Sequence, residues 1–282
     1  MIKFGPAGTA DSFKALGYKD SSFLPEYLER FSLNAFEYQC GRGVNVNKDK
    51  AEILRKGFED KGITLSLHSP YYISLSSVEK EKRDKSIDYI LQSARAVRML
   101  GGNRIVVHSG SCSKISREEA TELAKNTLGR AREALISEGL SDIHICPETM
   151  GKINQLGTLE EVIELCKVDD SFIPCIDFGH LNARTLGEIK SVKDYETILN
   201  LLGKELGDDR LKVFHSHFSK IEYSAGGEVR HLTFSDEKFG PSPEILMEVI
   251  YKRNLEPTFI CESAGTQTED ALYMKNCFYK NK

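Results

Sequence analysis

Short runs of β-branched and apolar residues recur along the whole chain, each followed by a loop and then by a longer stretch whose apolar positions return every three or four residues. This alternation predicts strands at residues 2–4, 35–38, 64–68, 104–108, 144–148, 174–177, 212–217 and 258–262. The stretches between them carry helix-start chemistry. Ser116 with Glu119, Thr158 with Glu161 and Thr266 with Glu269 fit the capping box, and Ser242 before Pro243 fits an N-cap with proline in the first turn. Eight strand-then-helix units with no Gly/Ser-rich or Pro-rich linker predict a single α/β domain over residues 1–282, a (β/α)8 TIM barrel with its active site at the C-terminal ends of the strands. A doubly wound open sheet is the alternative, but no G-x-G-x-x-G follows the first strand.

Composition narrows the classes. With 40% hydrophobic and 28% charged residues, the chain has enough apolar side chains for a sizeable core. It contains no long apolar segment, and its opening, MIKFGPAGTADSFKA, lacks a signal-like stretch, so a cytoplasmic protein that makes no use of a membrane is expected. The seven cysteines are odd in number and show no CxxC spacing, which argues for reduced core thiols rather than a disulfide framework or a thiolate zinc knuckle. A net charge of −4 exerts no global pull on nucleic acid, so DNA binding would rest on a local patch or on cations that meet the phosphates.

The predicted strands three to eight end on His68, His108, Glu148, Asp177, His215 and Glu262, all of metal-ligand type and each about one strand–helix unit from the next. Taken singly, a histidine there is more often a hydrogen-bonded structural residue, and a lone carboxylate is often a helix N-cap. Six together are costly to bury unless cations neutralise them. Imidazoles with carboxylates and no thiolate suit a multinuclear catalytic site for Zn2+, with Mn2+ or Fe also fitting. Three further histidines, His180, His217 and His231, fall near the same mouth; in the stretch FHSHFSK, period-two geometry turns His215 and His217 to one face. His144 precedes Glu148 by a strand's length and reads as structural, while Glu37, at the end of strand two, is left without a role.

The segments LSLHSPYYISLSS, LGGNRIVVHSGS, PETMGKINQLGTLEEVIEL and CIDFGH resemble, in order and spacing, the motif blocks of the endonuclease IV family of apurinic/apyrimidinic endonucleases, within the xylose isomerase-like barrels. The resemblance implies His68, His108 and Glu148 around one metal ion, and Glu148, Asp177, His215 and Glu262 around a second, with Glu148 shared. It implies His180 and His231 at a third, but Val229 stands where the family's Asp-Arg-His motif has its aspartate. FHSHFSK also departs from the family's His-x-Asn-Asp-Ser-Lys, and His217, Glu222 and Glu228 are candidates for the missing ligand.

By resemblance, the protein is a DNA repair phosphodiester hydrolase that cleaves 5′ to abasic sites with a metal-bound hydroxide, using two or three zinc ions and acting as a monomer on damaged double-stranded DNA. Glu148 would orient the hydroxide. Tyr71 and Tyr72 fall where the family wedges the duplex, and Arg42, in CGRGVNV, sits on a loop able to enter the minor groove. A metal-dependent sugar isomerase or epimerase of the same superfamily is the competing reading, since that branch also holds ions with Glu, Asp, His and Glu at strand ends. A metal- or ligand-binding protein without catalysis is the third.

Overall fold

The computed structural model describes residues 1–112 and 115–281. The alternating pattern yields β1 (Lys3–Pro6), β2 (Ala35–Gln39), β3 (Thr64–His68), β4 (Arg104–His108), β5 (His144–Glu148), β6 (Cys175–Asp177), β7 (His215–Phe218), a hairpin of β8 (Ile221–Ser224) and β9 (Gly227–His231), and β10 (Thr258–Cys261). Eight of these pair in parallel in the order β1-β10-β7-β6-β5-β4-β3-β2. β1 and β2 nearly close the ring through a bridge between Ala7 and Glu37, where the Gly8 N–H donates to the Glu37 carbonyl at 2.9 Å. The seam needs Gly5, because a Cβ there would stand 1.8 Å from the Ala35 carbonyl oxygen. The predicted (β/α)8 barrel is the observed fold.

The main apolar core lies between the barrel and its helices, where Phe4, Phe36, Leu65, Leu67, Ile105 and Ile145 from the strands meet helical leucines and isoleucines. Side chains of opposite parity point into the barrel, where small groups fill the space. Val106, Cys146, Ile173 and Cys175 form one inner cluster, and Ala7, Ala35 and Ile260 form another. All seven cysteines are unpaired and six are buried, as the composition predicts. Among the described residues no helix is long and apolar enough to cross a membrane.

Local start signals are met unevenly. Thr158 and Glu161 form a full capping box, Ser116 accepts from the Glu119 N–H, and Ser242 accepts from the Ile245 N–H with Pro243 in the first turn. Thr266 departs from prediction: its hydroxyl donates to the Asp270 carboxylate at 2.9 Å and makes no cap. Strand seven also differs. Residues 212–214 are not strand; Asp208–Lys212 form a short helix behind Gly207, and the strand starts at His215. The Gly-Asp-Asp run before Arg210 is the overlooked helix-start signal, with two acidic residues in the first turn. The hairpin of β8 and β9 was not predicted.

Candidate metal centre at the barrel mouth

Parallel register decides which inward side chains reach the mouth. His215, the first residue of β7, is level with Cys175 and Thr258, whereas His217 is level with Asp177. His215, expected among the mouth ligands, is set below them because the strand starts three residues later and ends one residue later than predicted. His217, together with Glu148, Asp177 and Glu262, offers ligand atoms all within 4.8 Å of one another. His215 lies one layer deeper, with Nε2 2.9 Å from Glu37 Oε2.

Glu148 is the hub of the mouth. Its Oε2 lies 3.3 Å from His68 Nε2 and 3.3 Å from His108 Nε2, while its Oε1 lies 2.8 Å from His217 Nδ1 and 3.5 Å from His180 Nδ1. His68, His108 and Glu148 thus form a second group sharing Glu148 with the first. Neighbouring backbone fixes two of these rings, because a carbonyl can only accept. His68 Nδ1–H donates to the Ser69 carbonyl at 2.8 Å, and His180 Nδ1–H donates to the Thr149 carbonyl at 2.9 Å, which turns Nε2 of each toward the carboxylates.

A third group forms from His180, Glu228 and His231. His180 Nε2 is 3.4 Å from Glu228 Oε2, and His231 Nε2 is 3.9 Å from Glu228 Oε1. Glu228 takes the place expected of the residue at 229 because β9 is irregular. Tyr223 pairs with Glu228 and Glu222 with Arg230, so Val229 is the extra residue of a bulge. The bulge puts Glu228 and His231 on one face and leaves Val229 half exposed. Glu222 is engaged elsewhere, with Arg230 Nε at 2.7 Å. The hairpin is held by the Glu228 N–H, which donates to the Gly151 carbonyl at 3.1 Å. Gly151 is required there, since an added Cβ would lie 2.7 Å from Glu228 Cβ and 2.9 Å from His180 Cδ2.

Electrostatics follow from burial opposed by close pairing. Burial pushes the Glu148 carboxyl up, but the charge of His217 and the hydrogen bonds from His108, His180 and His217 outweigh it and hold the group well below the ordinary range. Burial lowers His68 and His180, yet Glu148 brings His68 to about 9, and Asp177 with the nearby glutamates brings His180 to about 10. Asp177 moves up, mainly through burial, against the opposing charge of His180. Its Oδ1 accepts from the His180 N–H at 2.7 Å, whereas its Oδ2 is buried without a hydrogen-bond partner.

A buried carboxylate oxygen with no hydrogen bond, 3.3 Å from His180 Nδ1 and among further imidazoles and carboxylates, is a donor set that fits divalent cations, so the residues present suit the metal centre that the sequence implies. The deeper grouping of Cys175 with His215 and His217 does not fit one: burial holds the Cys175 thiol well above its ordinary range, and both imidazoles already face Glu37.

The three groups open on a cavity of about 340 Å3 lined also by Gln39, Gly41, Tyr71, Lys152 and Gln155. Tyr71 is exposed on its rim and packs edge-on to Tyr72 at 5.4 Å. The loop bearing Arg42 is joined to it by the Tyr71 N–H, which donates to the Gly41 carbonyl at 3.3 Å. His144 stands at the opposite strand end, bound to the Ser171 carbonyl at 2.7 Å. A larger cleft of about 460 Å3, between Thr158 and Leu201, contains no imidazole or thiol and lies apart from this chemistry.

Residues 25–277 match the family described as xylose isomerase-like TIM barrel. An uncharacterised protein of Methanocaldococcus jannaschii is 33% identical over 279 residues, covering 98% of this chain and 96% of its own. A probable endonuclease 4 of Listeria monocytogenes serotype 4b is 31% identical over 223 residues, covering 76% of this chain and 69% of its own. Two solved structures share the fold. A D-tagatose 3-epimerase-like protein superposes with a TM-score of 0.69 at 18% identity, over 99% of this chain and 97% of that one. Endonuclease IV from Thermus thermophilus does so with a TM-score of 0.66 at 19% identity, over 99% and 98%. With eight parallel strands in one nearly closed barrel and nearly all of its length matched, the chain belongs to the xylose isomerase-like TIM barrel family.

Proposed function

We propose that this chain is a metal-dependent DNA repair endonuclease that hydrolyses the phosphodiester 5′ to abasic sites in double-stranded DNA. The observation that carries the reading is the joining of two ligand groups through Glu148, with the His180–Glu228–His231 group beside them. His68, His108 and Glu148 would hold one ion, Glu148, Asp177, His217 and Glu262 a second, and His180, Glu228 and His231 a third. Zinc, or manganese or iron in its place, supplies Lewis-acid stabilisation of phosphate charge and a low-pKa water. Glu148, fully buried and anionic through its imidazole neighbours, would hold the ion pair together and orient the attacking oxygen. Lys152, on the cavity wall, adds a cation for a strand phosphate. Tyr71 lines the cavity and packs edge-on to Tyr72, and Arg42 follows Gly41, whose carbonyl accepts from the Tyr71 N–H; the two rings and the guanidinium would fill the gap left by a missing base.

A sugar isomerase or epimerase is the second reading, favoured by the group of Glu148, Asp177, His217 and Glu262, which by itself suffices for one ion, and by the net charge of −4. The deciding experiment incubates zinc- or manganese-loaded protein with a labelled duplex carrying one abasic analogue, beside Glu148→Gln. Incision 5′ to the lesion, reduced on the order of a thousandfold in the variant, supports the nuclease. A duplex left intact with either metal, together with turnover of a ketose, sinks it in favour of the isomerase.

A further inference from the structure

Below the ligand layer, Glu37 is fully buried and its two oxygens face four polar side chains. Ser66 Oγ–H donates to Oε2 at 2.9 Å, His215 Nε2 lies 2.9 Å from the same oxygen, Gln39 Nε2–H donates to Oε1 at 3.2 Å, and His217 Nε2 approaches Oε1 at 2.9 Å, off the ideal hydrogen-bond direction. Three hydrogen bonds and the close approach of His217 Nε2 leave Glu37 little acceptor capacity for an ion. Its charge is nonetheless deep in the barrel, where it is costly unless it serves a partner.

The partner is His217. One ring nitrogen faces Glu37, while the other, Nδ1, points at the ligand layer, 2.8 Å from Glu148 and 3.6 Å from Glu262. We propose that Glu37, braced by Ser66, Gln39 and His215, is the positioning residue that keeps a proton on His217 Nε2 and thereby presents Nδ1 as the ion-binding atom. This rests on the reading that His217 holds an ion. It also explains His215, which, with Nδ1 buried and unpartnered, spends its single bond on clamping Glu37 rather than on an ion. Removing a carboxylate that orients a ligating imidazole typically weakens metal affinity about 10- to 100-fold.

The test needs no catalysis. In zinc-loaded protein labelled with 15N-histidine, His217 should carry its proton on Nε2 and show a metal-shifted Nδ1; a proton on Nδ1 overturns the proposal in the wild type, whatever the variants do. Zinc competition against a chelator should show Glu37→Gln weakened by about 10- to 100-fold at one ion, with unfolding by circular dichroism confirming a folded chain. Unchanged zinc affinity in folded Glu37→Gln overturns the positioning role while leaving the metal centre standing. Failure of the wild type to bind zinc at all removes the metal centre itself, and the inference with it.

Discussion

The mouth of this barrel has a deep half and a shallow half, built by different means. Glu37, Glu148, Asp177, His215 and His217 are fully buried, all lie on barrel strands, and are located by parallel register. Glu228 and His231 keep some solvent exposure and lie on a hairpin, located by one bulge and one close backbone approach to Gly151. Register is shared by eight strands and is expensive to alter, because a slip reverses every side chain. A bulge is local. The deep half is therefore expected to be rigid and indispensable, and the shallow half to be adjustable, since one bulge turns Glu228 rather than Val229 to the inner face.

The largest effect should come from breaking the deep half. His217→Gln removes an imidazole between two buried carboxylates, and incision should fall on the order of a thousandfold, about 4 kcal/mol of transition-state stabilisation, in single-turnover assays. A loss under tenfold would place the essential chemistry elsewhere. Next comes the hairpin. Gly151→Ala pushes on Glu228 and His180, so metal analysis should find one ion fewer per chain while the Glu148-linked pair remains. Loss of all the ions together would show that the two halves are not separable.

Protons provide a milder probe of the same division. In the ion-free protein His68, at about 9, and His180, at about 10, are protonated at neutral pH. A cation must displace those protons, so apparent zinc affinity should rise with pH up to about 10, and calorimetry in buffers of different ionisation enthalpy should register proton release. Affinity independent of pH between 6.5 and 9 would contradict the pairing described for His68. The smallest effect is expected from Val229→Asp. Restoring the residue type of the family motif at an exposed bulge position should change ion content and incision less than about threefold, because Glu228 already occupies the inward place.

The deep and shallow halves are not equally legible in the chain. Strand ends at 68, 108, 148 and 177 are readable because apolar runs stop there on a polar residue of ligand type. Strand seven misleads, since the apolar LKVF run belongs to a short helix and its exit, and the strand itself begins with a histidine. Glu37 carries a signal that strand-end chemistry alone does not weigh: a carboxylate at an inward position in the middle of a strand must have buried partners. Glu228 is readable only as one candidate among three, because a bulge has no reliable pattern in a single sequence.

The sequence by itself determined the repeated strand–helix order, the barrel, and the ligand types gathered at one end, because hydrophobic period and strand-end chemistry are local properties that survive folding unchanged. Only the tertiary structure set His217 rather than His215 level with Asp177, brought Glu228 beside His180, and laid Glu37 beneath His217. Those choices depend on interstrand register and on a single irregular pairing, where a shift of one or two residues moves a side chain from one layer to another at no visible cost in the pattern of the chain.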